Sequence, residues 1–338
     1  DIDHWRMSRD YTSTSMENGG DRNRSDSDDK RLNLKLGYTP NATDEYSINF
    51  VKQEGEKTAI LSTRPGNRDR DWDWPKWDVW SLYWLSHTQL SDTAYLKTKA
   101  YYNQFDNELM MNNFDTLSTY DDTSYGLSLE AGTTWLARNT LKAAVHYRND
   151  KHTGWDKEYS PFFVTPKQDA EEETWSFGLE NTFHATSRLD LVAGISYDDR
   201  NTKKVEQFSK GQTPEFFEYE TKDASAWNYQ GAAVWRYSDT GRLNFSASRR
   251  VSMPTMFHRF SSRFGGATSN PGLKPEKALN FELALSDRIG ENWFGEIALF
   301  HNKIDDLMQG VDVEYPAGSG RFYTQNQNVG KGTFKGVE

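Results

Sequence analysis

The sequence contains no cysteine among its 338 residues. A disulfide framework, a thiolate metal site and a cysteine nucleophile are therefore excluded. It has no uninterrupted apolar run of about 18 residues, so no membrane-spanning helix is possible. Cations are in deficit: 40 Lys and Arg against 50 Asp and Glu leave a net charge of −10. That balance argues against nucleic acid as a partner, because phosphate contacts need clustered Lys and Arg. No Gly-x-Ser-x-Gly, His-Glu-x-x-His or Walker pattern occurs, and no enzymatic activity, catalytic residue or cofactor is expected. No metal site is expected either. Asp26, Asp28 and Asp29, or Asp121 and Asp122, have the oxygens for calcium, but the spacing and loop glycine of an EF-hand are missing. They read as solvated acidic loops.

Aromatic residues, by contrast, are plentiful for so hydrophilic a chain: 12 Trp, 17 Tyr and 19 Phe. Aromatic girdles at two membrane interfaces would account for part of them. Segments of period two recur throughout. Leu32, Leu34, Leu36 and Tyr38 share one face opposite Asn33, Lys35 and Gly37. Leu189, Leu191, Ala193, Ile195 and Tyr197 form another apolar face, as do Phe281, Leu283 and Leu285. The opposite faces carry Lys, Arg, Glu and His, which suits a wet bore better than a dry sandwich core.

About fourteen strands are predicted by this alternation. They lie near residues 3–16, 30–40, 44–57, 78–88, 93–106, 122–136, 139–150, 172–185, 188–201, 224–238, 241–251, 277–287, 292–305 and 322–338. The connections alternate between short turns, such as Ala185-Thr186-Ser187-Arg188, and long ones at 17–29, 58–77, 107–121, 151–171, 202–223, 252–276 and 306–321. Strict short/long alternation is the habit of outer-membrane barrels, with tight periplasmic turns and long extracellular loops.

The last third adds an ordered set of turns. An alternating strand ending Arg249-Arg250 leads into Met253-Pro254-Thr255-Met256-Phe257-His258-Arg259. A Gly/Ser-rich loop closes on Asn270-Pro271-Gly272-Leu273-Lys274-Pro275-Glu276. Two more strands follow, and then an Asn…Gly…Lys-Gly-Val-Glu end. This order resembles the C-terminal half of the barrel in TonB-dependent outer-membrane receptors, clearly over residues 241–338 and by patterning alone before them. The resemblance implies an all-β, transmembrane, antiparallel up-and-down barrel with long extracellular loops. About 14 strands of the family's 22 would be present. Residues 1–338 are expected to be a partial barrel domain, with the plug domain and TonB-contacting segment upstream and the final strands downstream.

Family membership would make the protein an outer-membrane receptor of a Gram-negative bacterium, taking up a scarce chelated nutrient with energy relayed by TonB. A ferric siderophore leads; haem or cobalamin uptake, or a passive porin-type channel, are the alternatives. Expected partners are TonB, outer-membrane lipid and an extracellular metal chelate. Candidate ligand contacts are Trp72, Trp74 and Trp77 on the loop 58–77, where an interfacial belt is the competing reading. Arg250, Phe257, His258 and Arg259 complete the set. Haem receptors of the family place an iron-ligating His in the interval that His258 occupies, but their preceding box is Phe-Arg-Ala-Pro rather than the Val-Ser-Met-Pro found here. Pro254, Asn270, Pro271, Gly272, Leu273, Pro275 and Glu276 are expected to set loop geometry.

Overall fold

The computed structural model describes residues 2–7, 10–11, 20–21, 24, 26–59, 70–210, 213–262, 266–290 and 292–338. Among the described residues, fourteen strands pair in chain order into one antiparallel wall. They are β1 (Ile2–Met7), β2 (Ser27–Tyr38), β3 (Glu45–Thr58), β4 (Trp72–Ser91), β5 (Ala94–Met111), β6 (Thr116–Thr133) and β7 (Asn139–Tyr159). After them come β8 (Gln168–His184), β9 (Leu189–Ser209), β10 (Ala224–Trp235), β11 (Arg242–Ser252), β12 (Glu276–Ile289), β13 (Trp293–Asp305) and β14 (Lys331–Val337). No pairing joins β14 back to β1 among the described residues, and no described helix is long and apolar enough to cross a membrane.

Two register rows show how alternation sorts the wall into faces. One runs Leu36, Ile48, Trp84, Ala100, Leu127, Tyr147, Trp175 from β2 to β8. The row one residue away runs Lys35, Asn49, Tyr83, Tyr101, Gly126, Arg148, Thr174, Arg200 from β2 to β9. Because the side-chain period of a strand is two, the first row faces outward and the second lines the concave side. Gly126 is required in the second row, since a Cβ there would lie 2.5 Å from the Tyr147 carbonyl oxygen and 2.6 Å from the Tyr101 hydroxyl.

Aromatic rings bracket the outward apolar band. Towards the long connections, contacts pair Trp80 with Tyr102 at 5.0 Å, Tyr147 with Trp175 at 4.7 Å and Tyr197 with Trp227 at 4.9 Å. Towards the short turns, Tyr38 meets Tyr46 at 6.3 Å and Trp235 meets Tyr237 at 6.0 Å. Trp227 and Trp235 end one outward series of β10, and both are half exposed. Eight residue steps between them give about 27 Å along the strand, or about 20 Å of height at a tilt of about 40°. An outer-membrane barrel presents an apolar band about 25 Å tall between two such girdles.

The connections alternate between the two ends of the wall in chain order, but their lengths do not alternate strictly: residues 112–115 alone join β5 to β6 at the end expected to carry long loops, fewer than residues 39–44 between β2 and β3 at the other. Several expected loops are instead strand. Residues 107–121 continue β5 and β6 around a three-residue 3-10 turn, Asn112–Phe114. Most of 151–171 extends β7 and β8, and 202–209 extends β9. Strand Met308–Glu314 occupies the expected loop 306–321 and pairs with Phe322–Asn328 in a separate hairpin. The single strand expected at 322–338 is thus broken at Val329-Gly330, where Gly330 has φ +130°. Of the expected strand 3–16, the described residues form β1 and a two-residue strand, Asp10–Tyr11; residues 8–9 and 12–16 lie outside the described residues. So are residues 60–69 of the expected ligand loop.

Candidate ligand-binding site

Strands longer than the apolar band carry their inward residues past it into a vestibule beneath the long connections. Two chambers open there. The larger, about 750 Å³, is lined by residues of β4 to β9, by the end of β11 and by the segment that follows it, among them Ser124, Arg148, Asp150, Thr174, Arg200 and Met253. Its charges are largely paired along the wall. Arg148 Nε donates to Asp150 at 2.5 Å, and Lys151 Nζ lies 3.6 Å from Asp169. The second, about 650 Å³, is lined by Tyr120, Trp155, Val205, Tyr219 and Phe260 with several carboxylates. Four residues belong to both: Asp122, His152, Met256 and Phe257. His152 Nδ1 lies 2.5 Å from Asp122 Oδ1, and its ring stacks on Tyr120 at 5.7 Å.

The segment after β11 reaches these chambers because Pro254 stops the strand, lacking a backbone N–H for the ladder. A short helix, Met256–Phe260, follows at once. Thr255 caps it, its hydroxyl accepting from His258 N at 3.2 Å while His258 Nδ1 accepts from Thr255 N at 3.4 Å. This reciprocal cap satisfies two donors that a helix start leaves open. The cap turns Phe257 into the vestibule, where it is 57% exposed.

Arg259 goes the opposite way, against the wall, and is almost fully buried at 3% exposure. Its guanidinium donates to Glu172 on β8, and to Thr202 on β9 at 3.0 Å. Arg200 brings a second guanidinium, with Nε 3.4 Å from the same Glu172 oxygen and Nη1 donating to the Pro254 carbonyl at 2.6 Å. A bulge makes this convergence possible. The β8–β9 register shifts between Glu171 and Glu172, so Glu172 faces Thr202 while Glu171 faces Lys204. An added residue of that kind re-aims its neighbours.

The Asn270–Glu276 segment is held by the hairpin of Met308–Glu314 and Phe322–Asn328. Asn270 Nδ2 donates to the Asn326 carbonyl at 2.8 Å, and Lys274 N donates to Asn328 Oδ1 at 2.9 Å. Asn326 Nδ2 in turn donates to the His258 carbonyl at 2.8 Å. Leu273 is 6% exposed, and Glu276 accepts from Met308 N at 2.6 Å. Pro271, Gly272 and Pro275 fall within this tied turn.

The three tryptophans sit elsewhere. Trp72, Trp74 and Trp77 begin β4 and are strand residues, which corrects the expected loop. The β4–β5 register skips between Asp73 and Lys76, an irregularity that accommodates Pro75. Their rings run edge to face, Trp72–Trp74 at 6.5 Å, Trp74–Trp77 at 6.3 Å and Trp77–Phe105 at 4.8 Å. Lys57 Nζ lies 3.2 Å from the Trp77 ring centroid, and Arg70 lies 4.9 Å from that of Trp72. None of the three tryptophans lines either chamber, although Phe105 lines the larger. Arg250 points into a smaller hollow further along the bore, donating to Gln230 at 3.1 Å.

Of the seven candidate contacts, the structure therefore brings only Phe257 into the lining of both chambers. His258 is absorbed in the helix cap and Arg259 in the buried cluster. Sequence reasoning missed Asp122, His152, Trp155, Arg200 and Tyr219 as vestibule residues. Inward parity on β6, β7 and β9 marks several of them once those strands are extended past the apolar band.

The family model described as TonB dependent receptor-like, beta-barrel matches residues 5–338. No curated protein sequence matches the chain. Among solved structures, the copper transporter OprC superposes with a TM-score of 0.78 at 17% identity, covering 99% of this chain and 54% of that one. The Serratia marcescens hemophore receptor HasR gives 0.71 at 12% identity, covering 99% and 55%. The ferric yersiniabactin uptake receptor FyuA from Yersinia pestis gives 0.69 at 14%, covering 99% and 52%. At these identities the likeness carries the fold alone, and the chain spans about half the length of each of these proteins.

Proposed function

The chain belongs to the TonB-dependent receptor β-barrel family, and from that premise we propose that it forms the ligand-facing wall of an outer-membrane uptake receptor for a scarce metal chelate, with a ferric siderophore foremost. TonB would act through a segment upstream of this wall. The observation that carries the reading is the pair of adjoining chambers on the concave side, beneath the long connections, one lined by charges of both signs and the other by aromatic rings with carboxylates. Such a lining suits a chelate with a polar metal centre and an apolar or aromatic periphery. Phe257 is the proposed first contact. The Trp72–Trp74–Trp77 cluster stands beside the vestibule and Arg250 deeper in the bore, while His258 and Arg259 hold the segment in place.

A haem reading loses its ligand if His258 keeps its cap role. A second reading rests on Met253 and Met256, whose side chains both line the larger chamber. Thioethers favour soft metals such as copper(I). One experiment addresses all of these. A deletion strain is grown on single ferric siderophores, haem, cobalamin or limiting copper, with and without the full-length gene. Rescue on a ferric siderophore that is lost when TonB is absent is the expected result. TonB-independent rescue would favour a passive channel, and rescue on none of the sources would end the uptake reading.

A further inference from the structure

We propose that Glu172 is a positioning residue for the vestibule. One carboxylate on the wall binds two guanidiniums, Arg200 of the wall and Arg259 of the short helix, and so fixes Met256 and Phe257 as the partition shared by the two chambers. The proposal rests on the uptake reading for its meaning and on the cluster geometry for its substance.

The helix Met256–Phe260 has five residues, too few to be stable alone. Its Arg259 backbone N–H donates to the Thr255 carbonyl at 3.2 Å, and Ser261 N to the Phe257 carbonyl at 3.2 Å. These bonds persist only if the segment is docked. Docking on the wall side runs through Arg259 and through the Pro254 carbonyl, and both lead to Glu172, directly or by way of Arg200. Side-chain exposures are 3% for Arg259, 7% for Arg200 and 9% for Glu172. The Nε atoms of both arginines lack a hydrogen-bond partner, so the cluster holds two cations on one anion with little to spare.

The count makes the three residues unequal. Removing Glu172 leaves two buried guanidiniums facing each other without an anion, the costly way to break a buried pair. Removing Arg200 leaves Arg259 and Glu172 balanced. Removing Arg259 leaves Arg200 and Glu172 balanced but frees the helix. A helix held by packing alone would not be loosened more by the loss of the wall residue Glu172 than by the loss of its own Arg259.

The test is amide hydrogen exchange on the purified full-length receptor in detergent micelles, read over residues 255–261 and over β8 and β9 as an internal control. Arg259→Met is expected to speed exchange in 255–261 at least tenfold and leave β8 and β9 unchanged. Arg259→Lys should recover part of the protection. Arg200→Met, which also removes the donor to the Pro254 carbonyl, should loosen 255–261 less than Arg259→Met, and Glu172→Gln should exceed Arg259→Met. Wild-type protection in Arg259→Met, or equal loosening in Arg200→Met and Arg259→Met, overturns the proposal, and neither variant leaves a buried charge unpaired to block folding. Affinity for a ferric tris-catecholate and a ferric tris-hydroxamate is measured on the same samples. At least a tenfold loss in Arg259→Met with partial rescue in Arg259→Lys supports positioning, and unchanged affinity alongside faster exchange overturns it. A wild-type receptor that binds neither chelate counts against the uptake reading, and the exchange data still decide the clamp.

Discussion

Leu283 and Glu282 are neighbours in sequence on opposite faces of β12, which turns the assignment of faces into a measurable difference. Leu283 stands in register with Phe245 on one side and Leu299 on the other, and Phe281 and Leu285 flank it on the same face. Glu282 stands between Ser246 and Phe300 on the concave side. If the outward face meets hydrocarbon, Leu283→Lys places an ammonium where no partner and no water exist. The cost near the middle of the bilayer is about 2–4 kcal/mol. At a factor of ten per 1.4 kcal/mol, the folding equilibrium falls by about thirtyfold to just under a thousandfold. Glu282→Lys keeps a charge in an aqueous bore, and its cost should stay within about 1 kcal/mol, as for an exposed substitution. The assay is denaturant unfolding of the full-length receptor in lipid bilayers, followed by tryptophan fluorescence. Equal costs for the two lysines, or a larger cost for Glu282→Lys, would refute the assignment of faces.

Two further outcomes follow from particular contacts. Gly126→Val should destabilise the wall by roughly 1–3 kcal/mol or more, since the new side chain meets the Tyr147 carbonyl oxygen before any flexible atom; a midpoint equal to that of wild type in the same unfolding assay would disprove the close approach. Asp44, in the turn between β2 and β3, accepts from Gln89 N at 2.8 Å and from Asn41 Nδ2 at 3.1 Å, and these bonds hold its carboxyl below the usual range. A depressed folded-state value means the contribution is complete above the unfolded value of about 3.9 and fades as pH falls through the folded one. Wild type should therefore lose stability relative to Asp44→Asn only on acidification below about pH 4, and a difference that stays constant from pH 7 to pH 2 would exclude the linkage.

Alternation made the wall legible because each spanning segment must present one face to hydrocarbon and the other to water. Phe281, Leu283 and Leu285 or Leu189, Leu191 and Ile195 announce that directly. The same signal fails beyond the membrane, where both faces are wet. Residues such as Asn107 to Leu109 or Lys151 to Asp156 have no reason to alternate, so they read as loops although the ladder continues through them. Trp72 to Trp77 were misread for a related reason. Pro75 with Asp71 and Asp73 looks like a loop, yet a register skip lets the strand begin at Trp72.

The extended strands also decide the site. Pattern reading put the ligand surface on connecting loops, and of those loop candidates Phe257 lines both chambers. Most of the vestibule is strand, and its floor and walls come from residues that are polar and inward-facing, such as Asp122, His152 and Arg200. Their types alone say nothing, because polar residues at a wet face need no special reason. Arg259 shows the converse. An arginine in a loop with aromatic neighbours invites a ligand-binding reading, but its partner Glu172 lies 87 residues earlier, across a bulge that no local pattern announces. Long-range charge pairing of this kind is invisible to periodicity, and only the fold reveals that Arg259 is buried against Glu172 and Thr202 instead of lining the chambers beside Phe257.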